Sequence, residues 1–415
     1  MAMTEPAPSA TAAEPTAFRA EVRAWLESVA ARRPDEAFTW GEGDFSVAVF
    51  DDWTPEEEAA AVAAGRAWEQ RKFDAGWGAV HWPVELGGKG LPRRFASIVR
   101  QEETGFELPR RNELFSVTQS LIAPTIATWG TPEQKERFLR ALLRTDVLAC
   151  QLFSEPGAGS DLASVSTRAV RDGDDWVISG QKVWSSGAQS ARWGEAICRS
   201  LPDVGKHAGL TAFLVPMDAS GVTVRPIRQM SGGASFNEVF LDEVRVPDAL
   251  RLGPEGAGWK VALTTLAAER LDSGSLGGGT LKKATALTRH LGRADEPFVR
   301  DRLADLWISS RVQSMTSQRI AAQLASGHEA GPEGSIGKLA ATANMRRTSD
   351  LVSVMLGCRL TADSGEWGTY AWNDQVLGAP GYRIAGGSDE IQRNIIGERV
   401  LGLARGLEPG RRDGP

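Results

Sequence analysis

The sequence predicts an α+β protein whose helices and strands come in blocks instead of alternating. Three observations carry this. Apolar residues recur at helical spacing from Phe18 onward, the pattern turns to short strand-like runs between 147 and about 250, and helical periodicity resumes beyond Gly258. Such blocks build segregated α and β layers, not βαβ units. The chain divides on this reading into a disordered leader over 1–17, an N-terminal helical domain over 18–146 and a middle β domain over 147–250. A C-terminal helical bundle over 251–405 and a tail over 406–415 complete it. No internal repeat is present.

In the first block, Phe18, Val22, Trp25, Leu26 and Val29 fall on one helical face. A later helix opens at Thr131-Pro132-Glu133-Gln134. Thr131 is placed to cap, Pro132 suits the first helical position, and Gln134 completes a capping box. Phe138, Leu139, Leu142 and Leu143 supply its buried face. Strands are expected at 147–153, 167–178, 194–198, 210–216, 222–227 and 238–246, separated by Gly, Pro and Asp turns. Helices are expected over 259–271, 298–325, 337–356 and 388–403.

Composition narrows the class of function. A chain of 415 residues with 42% apolar and 24% charged residues buries a large core, and its net charge of −6 argues against nucleic acid as main partner. Cys150, Cys198 and Cys358 lie far apart, and the four histidines are isolated, so neither a disulfide framework nor a metal site is expected. The N-terminal stretch lacks the features of a signal or transit peptide, and no apolar run reaches the roughly 20 residues that span a bilayer. A cytoplasmic protein without a membrane span is the expectation.

The segment from Val147 to Ala188 is the most informative. One apolar run ends in Ser154-Glu155-Pro156-Gly157-Ala158-Gly159-Ser160-Asp161, and a second ends in Lys182-Val183-Trp184-Ser185-Ser186-Gly187. The hairpin signal Arg171-Asp172-Gly173-Asp174-Asp175 between them brings the two strand ends together. Hydroxyls, an indole and glycines that let backbone N–H groups approach an anion suit a polar ligand with a flat aromatic head. The spacing is not the GxGxxG of a dinucleotide fold, and no helix pattern follows it.

With the stretches Phe236–Phe240, Val244–Pro247, Glu269-Arg270 and GGSDEIQRNIIGERVLGL from Gly386, these motifs resemble the acyl-CoA dehydrogenase family over roughly 18–405. The resemblance implies an N-terminal helical domain, a middle β-barrel-like domain and a C-terminal four-helix bundle, with a non-covalent FAD. It implies flavin or nucleotide contacts from Gln151, Phe153, Ser154, Ser160, Trp184, Ser186, Ser388 and Glu390. Trp184 would lie at the ring edge where electrons leave for an electron-transferring flavoprotein, and Ser186 near N5. Serine stands at 154 and 186 where the family usually has threonine, and the hydroxyl is kept.

The chemistry so implied needs a carboxylate that takes a proton from Cα of an acyl thioester while hydride leaves Cβ. Many family members carry that glutamate at the position held here by Gly386, which has no side chain to serve. Other branches place it on a bundle helix, just before a substrate-binding arginine, which here is Glu269 before Arg270. Glu269 follows Ala262 by seven residues and Leu266 by three, which sets it along the apolar side of its helix, where desolvation raises a carboxyl's pKa. Periodicity alone equally suits a solvated glutamate or one paired with Arg270 or a neighbouring lysine. The resemblance makes Glu269 the base, and assigns substrate contacts to Ser160, Arg270 and the Gly386 amide.

Two family elements are altered: Arg289–Asp295 and Leu356–Arg359 stand where cross-subunit FAD motifs are usual. A homo-oligomer, dimer or tetramer, and a heterotetramer with a paralogue both follow as readings. The expected reaction is oxidation of an acyl-CoA to its trans-2-enoyl-CoA. The alternatives are an oxygen-using flavoenzyme of the same fold (acyl-CoA oxidase, nitroalkane oxidase or flavin hydroxylase) and a largely non-catalytic partner subunit.

Overall fold

The computed structural model describes residues 14–33, 38–43, 45–272, 280–325 and 331–404. The leader expected over 1–17 lies outside them as far as residue 13, and so does the tail expected over 406–415. The chain forms two compact units: Met1–Glu36, Trp53–Arg228 and Ala234–Thr265 make the first, and Ala37–Asp52, Gln229–Gly233 and Leu266–Pro415 the second.

The first unit opens with helices α1 (Pro15–Val29), α2 (Pro55–Asp74) and α3 (Arg93–Glu103). A short α4 (Glu113–Ser116) runs through a π-helical turn into α5 (Ala123–Trp129), and α6 (Pro132–Arg144) follows. Phe18, Val22 and Leu26 of α1 pack with Trp68, Phe95, Ile98 and Val99 in one core cluster, so the periodicity read from Phe18 is the buried face. Both halves of the capping box at Thr131 and Gln134 form, and Thr54 with Glu57 repeats the device at the start of α2.

The strands are β1 (Ala149–Leu152), β2 (Arg168–Asp172), β3 (Asp175–Ser186), β4 (Trp193–Arg199), β5 (Leu210–Pro216), β6 (Val222–Ile227), β7 (Phe236–Pro247) and β8 (Arg251–Leu252). They form one eight-stranded sheet in the order β6-β7-β3-β2-β4-β5-β8, with β1 paired to β4. Its pairs are antiparallel except β1 with β4 and β2 with β4. The single strand expected over 167–178 is in fact the hairpin of β2 and β3, with Asp172 opposite Asp175 across Gly173-Asp174 and Gly173 at φ 65°.

Helix α7 (Gly258–Asp272) leads from the sheet into the second unit, which holds α8 (Thr280–His290), α9 (Pro297–Ala325), α10 (Gly334–Leu356), α11 (Trp372–Tyr382) and α12 (Asp389–Ile395). Its core gathers Leu287, Val299, Leu306, Leu351, Val352 and Trp372, and Val47 joins them from the segment before α2. Trp40 and Phe45 of that same segment pack edge-on against Trp367. The last helix is shorter than the 388–403 expected. Ser388 caps it, accepting from the Ile391 N–H, and after Ile395 the backbone slips into a π turn that closes with Leu401 N–H on the Ile396 carbonyl.

Arg293 explains one altered motif. Its guanidinium donates to the carbonyls of Val354 and Met355 at 2.9 and 3.1 Å, satisfying the free C-terminal end of α10. No described helix is long and apolar enough to cross a membrane.

Candidate active site

The first unit brings the two motif ends together, as the hairpin signal requires. The Val183 N–H donates to the Ser154 carbonyl at 2.9 Å, so β3 leaves its ladder with β7 to pair with the loop after β1. A register shift between Lys182 and Ser185 marks the departure. At that bulge Trp184 sits at φ 61°, the left-handed region, with its ring 58% exposed and edge-on to Phe236 at 6.1 Å. Left-handed backbone costs a non-glycine residue about 1–2 kcal/mol, and an exposed indole recovers little of it by burial. The conformation turns a flat apolar surface outward.

Two charged residues that the sequence reading passed over hold this loop. Lys182, fully buried, donates to the carbonyls of Phe153 and Ile197 at 3.0 and 2.7 Å and to Glu155 Oε1 at 2.9 Å. Glu155 also accepts from the Ser166 N–H and hydroxyl at 2.7 and 2.8 Å and from the Thr167 N–H at 2.8 Å. Burial raises the Glu155 pKa, but the Lys182 ammonium and these donors outweigh it and hold the carboxyl at about 2. The signal was available: Glu155 and Lys182 are charges set within apolar motif ends. Together they fix the Phe153 carbonyl in place.

The remaining residues of this unit sit as follows. Gln151 lies on β1 opposite Glu195 of β4. Ser154 is half-buried, and the turn closed by Glu155 and Ala158 leaves Pro156, Gly157, Gly159 and Ser160 exposed, with nothing near the two glycines. Ser186 donates to Glu113 Oε2 at 3.0 Å, which leaves its lone pairs to accept.

Beside Gln151, Glu195 is a buried acid with Oε2 lacking any partner. Its Oε1 lies 2.8 Å from Thr265 Oγ1, which lies 2.9 Å from Thr125 Oγ1, and Thr125 donates to the Leu121 carbonyl at 2.8 Å. The Thr265 hydroxyl donates to Glu195 Oε1, and with Oε2 unpartnered this one bond offsets little of the cost of burying the ionised form. Burial pushes this carboxyl up to about 8. A folded pKa above the unfolded value means that stability is fully present below about pH 4.5 and falls as pH rises toward 8. Glu195→Gln is therefore expected to leave the denaturation midpoint nearly unchanged at pH 4.5 and to raise it increasingly up to pH 8, on the order of 1 kcal/mol per pH unit. An advantage that does not vary with pH would show that Glu195 is already ionised in the fold.

In the second unit the 383–392 region is tightly held. The Gln392 amide donates to the carbonyls of Gly386 and Gly387 at 2.9 and 3.0 Å, and Lys338 of α10 donates to the Gly387 carbonyl at 2.8 Å. Both glycines have positive φ, 64° and 84°, which only glycine adopts without strain. Asp389 is buried and bound by Arg383 at 2.9 Å and Thr342 at 2.8 Å, while Glu390 is exposed beside Arg393. Ser388 is used as the cap of α12.

One distance bears on the base. A Cβ built on Gly386 would lie 3.2 Å from Glu269 Oε1, so the Glu269 carboxylate reaches the space that a side chain at 386 would enter. Glu269 itself is half-buried on α7, and the Arg270 side chain lies outside the described residues.

The three sections of the chain match three family models: acyl-CoA dehydrogenase N-terminal domain over 12–146, middle domain over 150–244 and C-terminal domain over 256–401. The chain belongs to the acyl-CoA dehydrogenase family. It is 38% identical over 393 residues to acyl-CoA dehydrogenase IpdE1 of Mycobacterium tuberculosis, covering 94% of this chain and 97% of that protein. Among solved structures it is similar to the Tcur3481-Tcur3483 steroid ACAD, with TM-score 0.73 and 26% identity over 95% of this chain and 99% of that one. It is also similar to the ChsE4-ChsE5 complex from Mycobacterium tuberculosis, with TM-score 0.70 and 28% identity over 94% and 98%.

As an acyl-CoA dehydrogenase the chain is an FAD-dependent oxidoreductase of α+β fold. The donor set of the first unit fits such a group: an outward indole, two serine hydroxyls and an open glycine turn.

Proposed function

We propose that this acyl-CoA dehydrogenase oxidises an acyl-CoA to the trans-2-enoyl-CoA with Glu269 as base, and passes the electrons to an electron-transferring flavoprotein. The observation that carries the reading is the 3.2 Å approach of Glu269 Oε1 to the side-chain position of Gly386. Where many relatives hold a glutamate this chain has space, and another carboxylate reaches it. FAD, when bound, supplies the acceptor for the hydride that leaves Cβ. Glu269 takes the α-proton on a carboxylate oxygen, and the C–H electron pair becomes the new C=C bond. The Gly386 amide supplies a donor for the thioester oxygen, on which charge builds as the proton leaves. Phe153, Ser154, Ser160, Trp184 and Ser186 hold the cofactor, with Gln151 behind them, and Ser388 and Glu390 serve its nucleotide end. Arg270 contacts the substrate.

The similarity to a protein titled a steroid ACAD supports a polycyclic, steroid-derived acyl group. Anaerobic bleaching of the flavin by straight-chain, branched and steroid-derived acyl-CoA thioesters tests both parts. Bleaching by the steroid-derived thioester with slow reoxidation in air is the expected result. Fast oxygen consumption identifies an oxidase, and no bleaching by any thioester removes the dehydrogenase reading.

A heteromeric assembly is favoured by the similarity to two proteins named as pairs, Tcur3481-Tcur3483 and ChsE4-ChsE5, and by the altered stretch at Arg289–Asp295. Helix α9 also exposes Trp307, Ile308, Val312 and Met315, an apolar face of the kind that associates. The flavin assays are then run on the FAD-loaded complex with the partner chain, and a stable yellow homo-oligomer of the single chain would overturn the heteromeric reading.

A further inference from the structure

Lys338 is a cation that nothing in the reaction as described uses. It lies on α10 with its side chain 2% exposed, in a place where an ammonium is costly unless compensated. Its Nζ donates to the Gly387 carbonyl at 2.8 Å and lies 3.8 Å from Asp389 Oδ1. Gly387 adjoins Gly386, whose side-chain position is 3.2 Å from Glu269 Oε1. Asp389 is bound more closely by Arg383 and Thr342, at 2.9 and 2.8 Å, and so shares Lys338 instead of depending on it alone. Lys338 is thus the ammonium at the turn whose side-chain position Glu269 reaches, and the carboxylates of Asp389, Glu269 and Glu390 all act on it.

We propose that Lys338 is the positioning residue of the base: one ammonium clamps the Gly386–Gly387 turn and serves as the counter-charge of Glu269. The proposal rests on Glu269 being the base. Burial lowers the Lys338 pKa, and the carboxylates of Asp389, Glu269 and Glu390 oppose that loss, so the three acids and this lysine form one electrostatic group. The consequence for catalysis is a division of labour. The clamp holds the amide of Gly386 where the thioester oxygen arrives, and the charge keeps Glu269 in the form that can accept a proton. When the proton has moved, the lysine is left facing a neutral acid, which favours its return.

The charge relation is measurable without turnover. The full chain is labelled with a carbodiimide and glycinamide across a pH series, and the extent at Glu269 is read by peptide mass spectrometry, since the reagent attacks the protonated acid. Lys338→Met is expected to move the midpoint for Glu269 up by about one pH unit or more, and Lys338→Arg to leave it near that of the parent chain. An unchanged midpoint in Lys338→Met overturns the proposal. Should that variant not fold, the reciprocal measurement decides. Glu269→Gln is nearly isosteric, and the coupling acts equally in both directions. Acetylation of Lys338 by acetic anhydride at pH 8 is expected to run severalfold faster in Glu269→Gln, and an equal rate overturns the proposal. A wrong base assignment gives a different signature: the labelling shifts appear, yet Glu269→Gln still reduces flavin at the parental rate.

Discussion

Glu269→Gln is expected to slow anaerobic flavin reduction by an acyl-CoA thioester on the order of 10²–10⁴-fold while flavin content and fold are kept. Glutamine has the shape of glutamate and cannot take the proton. Among the described residues near it, none is placed to replace it. Gly386 has no side chain, Asp389 is bound by Arg383 and Thr342, and Glu390 is exposed beside Arg393. The same geometry predicts the behaviour of the usual family position. Gly386→Glu alone is expected to lose activity, because its Cβ starts 3.2 Å from Glu269 Oε1 and a second negative charge enters the same space. Combining it with Glu269→Gly is expected to recover part of the rate. Recovery is partial because residue 386 stays at φ 64°, where a side chain is strained by about 1–2 kcal/mol. Single-turnover reduction in the four proteins measures all of this, and parental rates in Glu269→Gln would show that another group takes the proton.

Lys182→Met has the second large effect. The lysine is fully buried and gives its three protons to the carbonyls of Phe153 and Ile197 and to Glu155. Methionine fills the same volume and leaves two carbonyls without a donor and a buried carboxylate without its cation. Breaking a buried pair from one side costs about 3–5 kcal/mol. The loss is expected as a lower thermal midpoint together with weaker flavin retention, because the Phe153 carbonyl and the Ser154 loop lose their anchor. Glu155→Gln is expected to cost a comparable amount, since its one amide oxygen replaces only the oxygen facing Ser166 or the one facing Thr167 and Lys182, and its NH2 meets donors at the other. Equal stability of Lys182→Met and the parent chain would show that the loop is held by the sheet alone.

What the sequence revealed follows from the range of the forces involved. Local chemistry was readable: the capping box at Thr131, the buried face from Phe18 and the strands at 210–216 and 222–227 all appear where expected. The Gly173-Asp174 turn was recognised, although the strand from 167 was not divided there. The approach of Val183 to Ser154 followed from that turn. Long-range packing was not readable. Trp40 and Phe45 meet Trp367 more than 300 residues away, so the residues before α2 join the second unit, and no periodicity announces it. The end of α12 was overrun because a π turn shares the apolar spacing of the helix it ends. At the site, motif identity pointed to Trp184 and Ser186, while Lys182, Glu155 and Lys338 depend on carbonyls and carboxylates that only the folded chain gathers.

The contact between Gly386 and Glu269 also constrains how such a site can change through descent. With Glu269 as the proposed base, moving the carboxylate from one position to the other takes two substitutions, and each single step is expected to pass through a poor protein. One intermediate crowds two acids into one space, and the other has none. Glycine at 386, once the acid has left, then frees the turn to adopt the positive φ that a side chain would resist. On the proposed assignment, a glycine at 386 is expected to mark chains whose base lies on the helix instead.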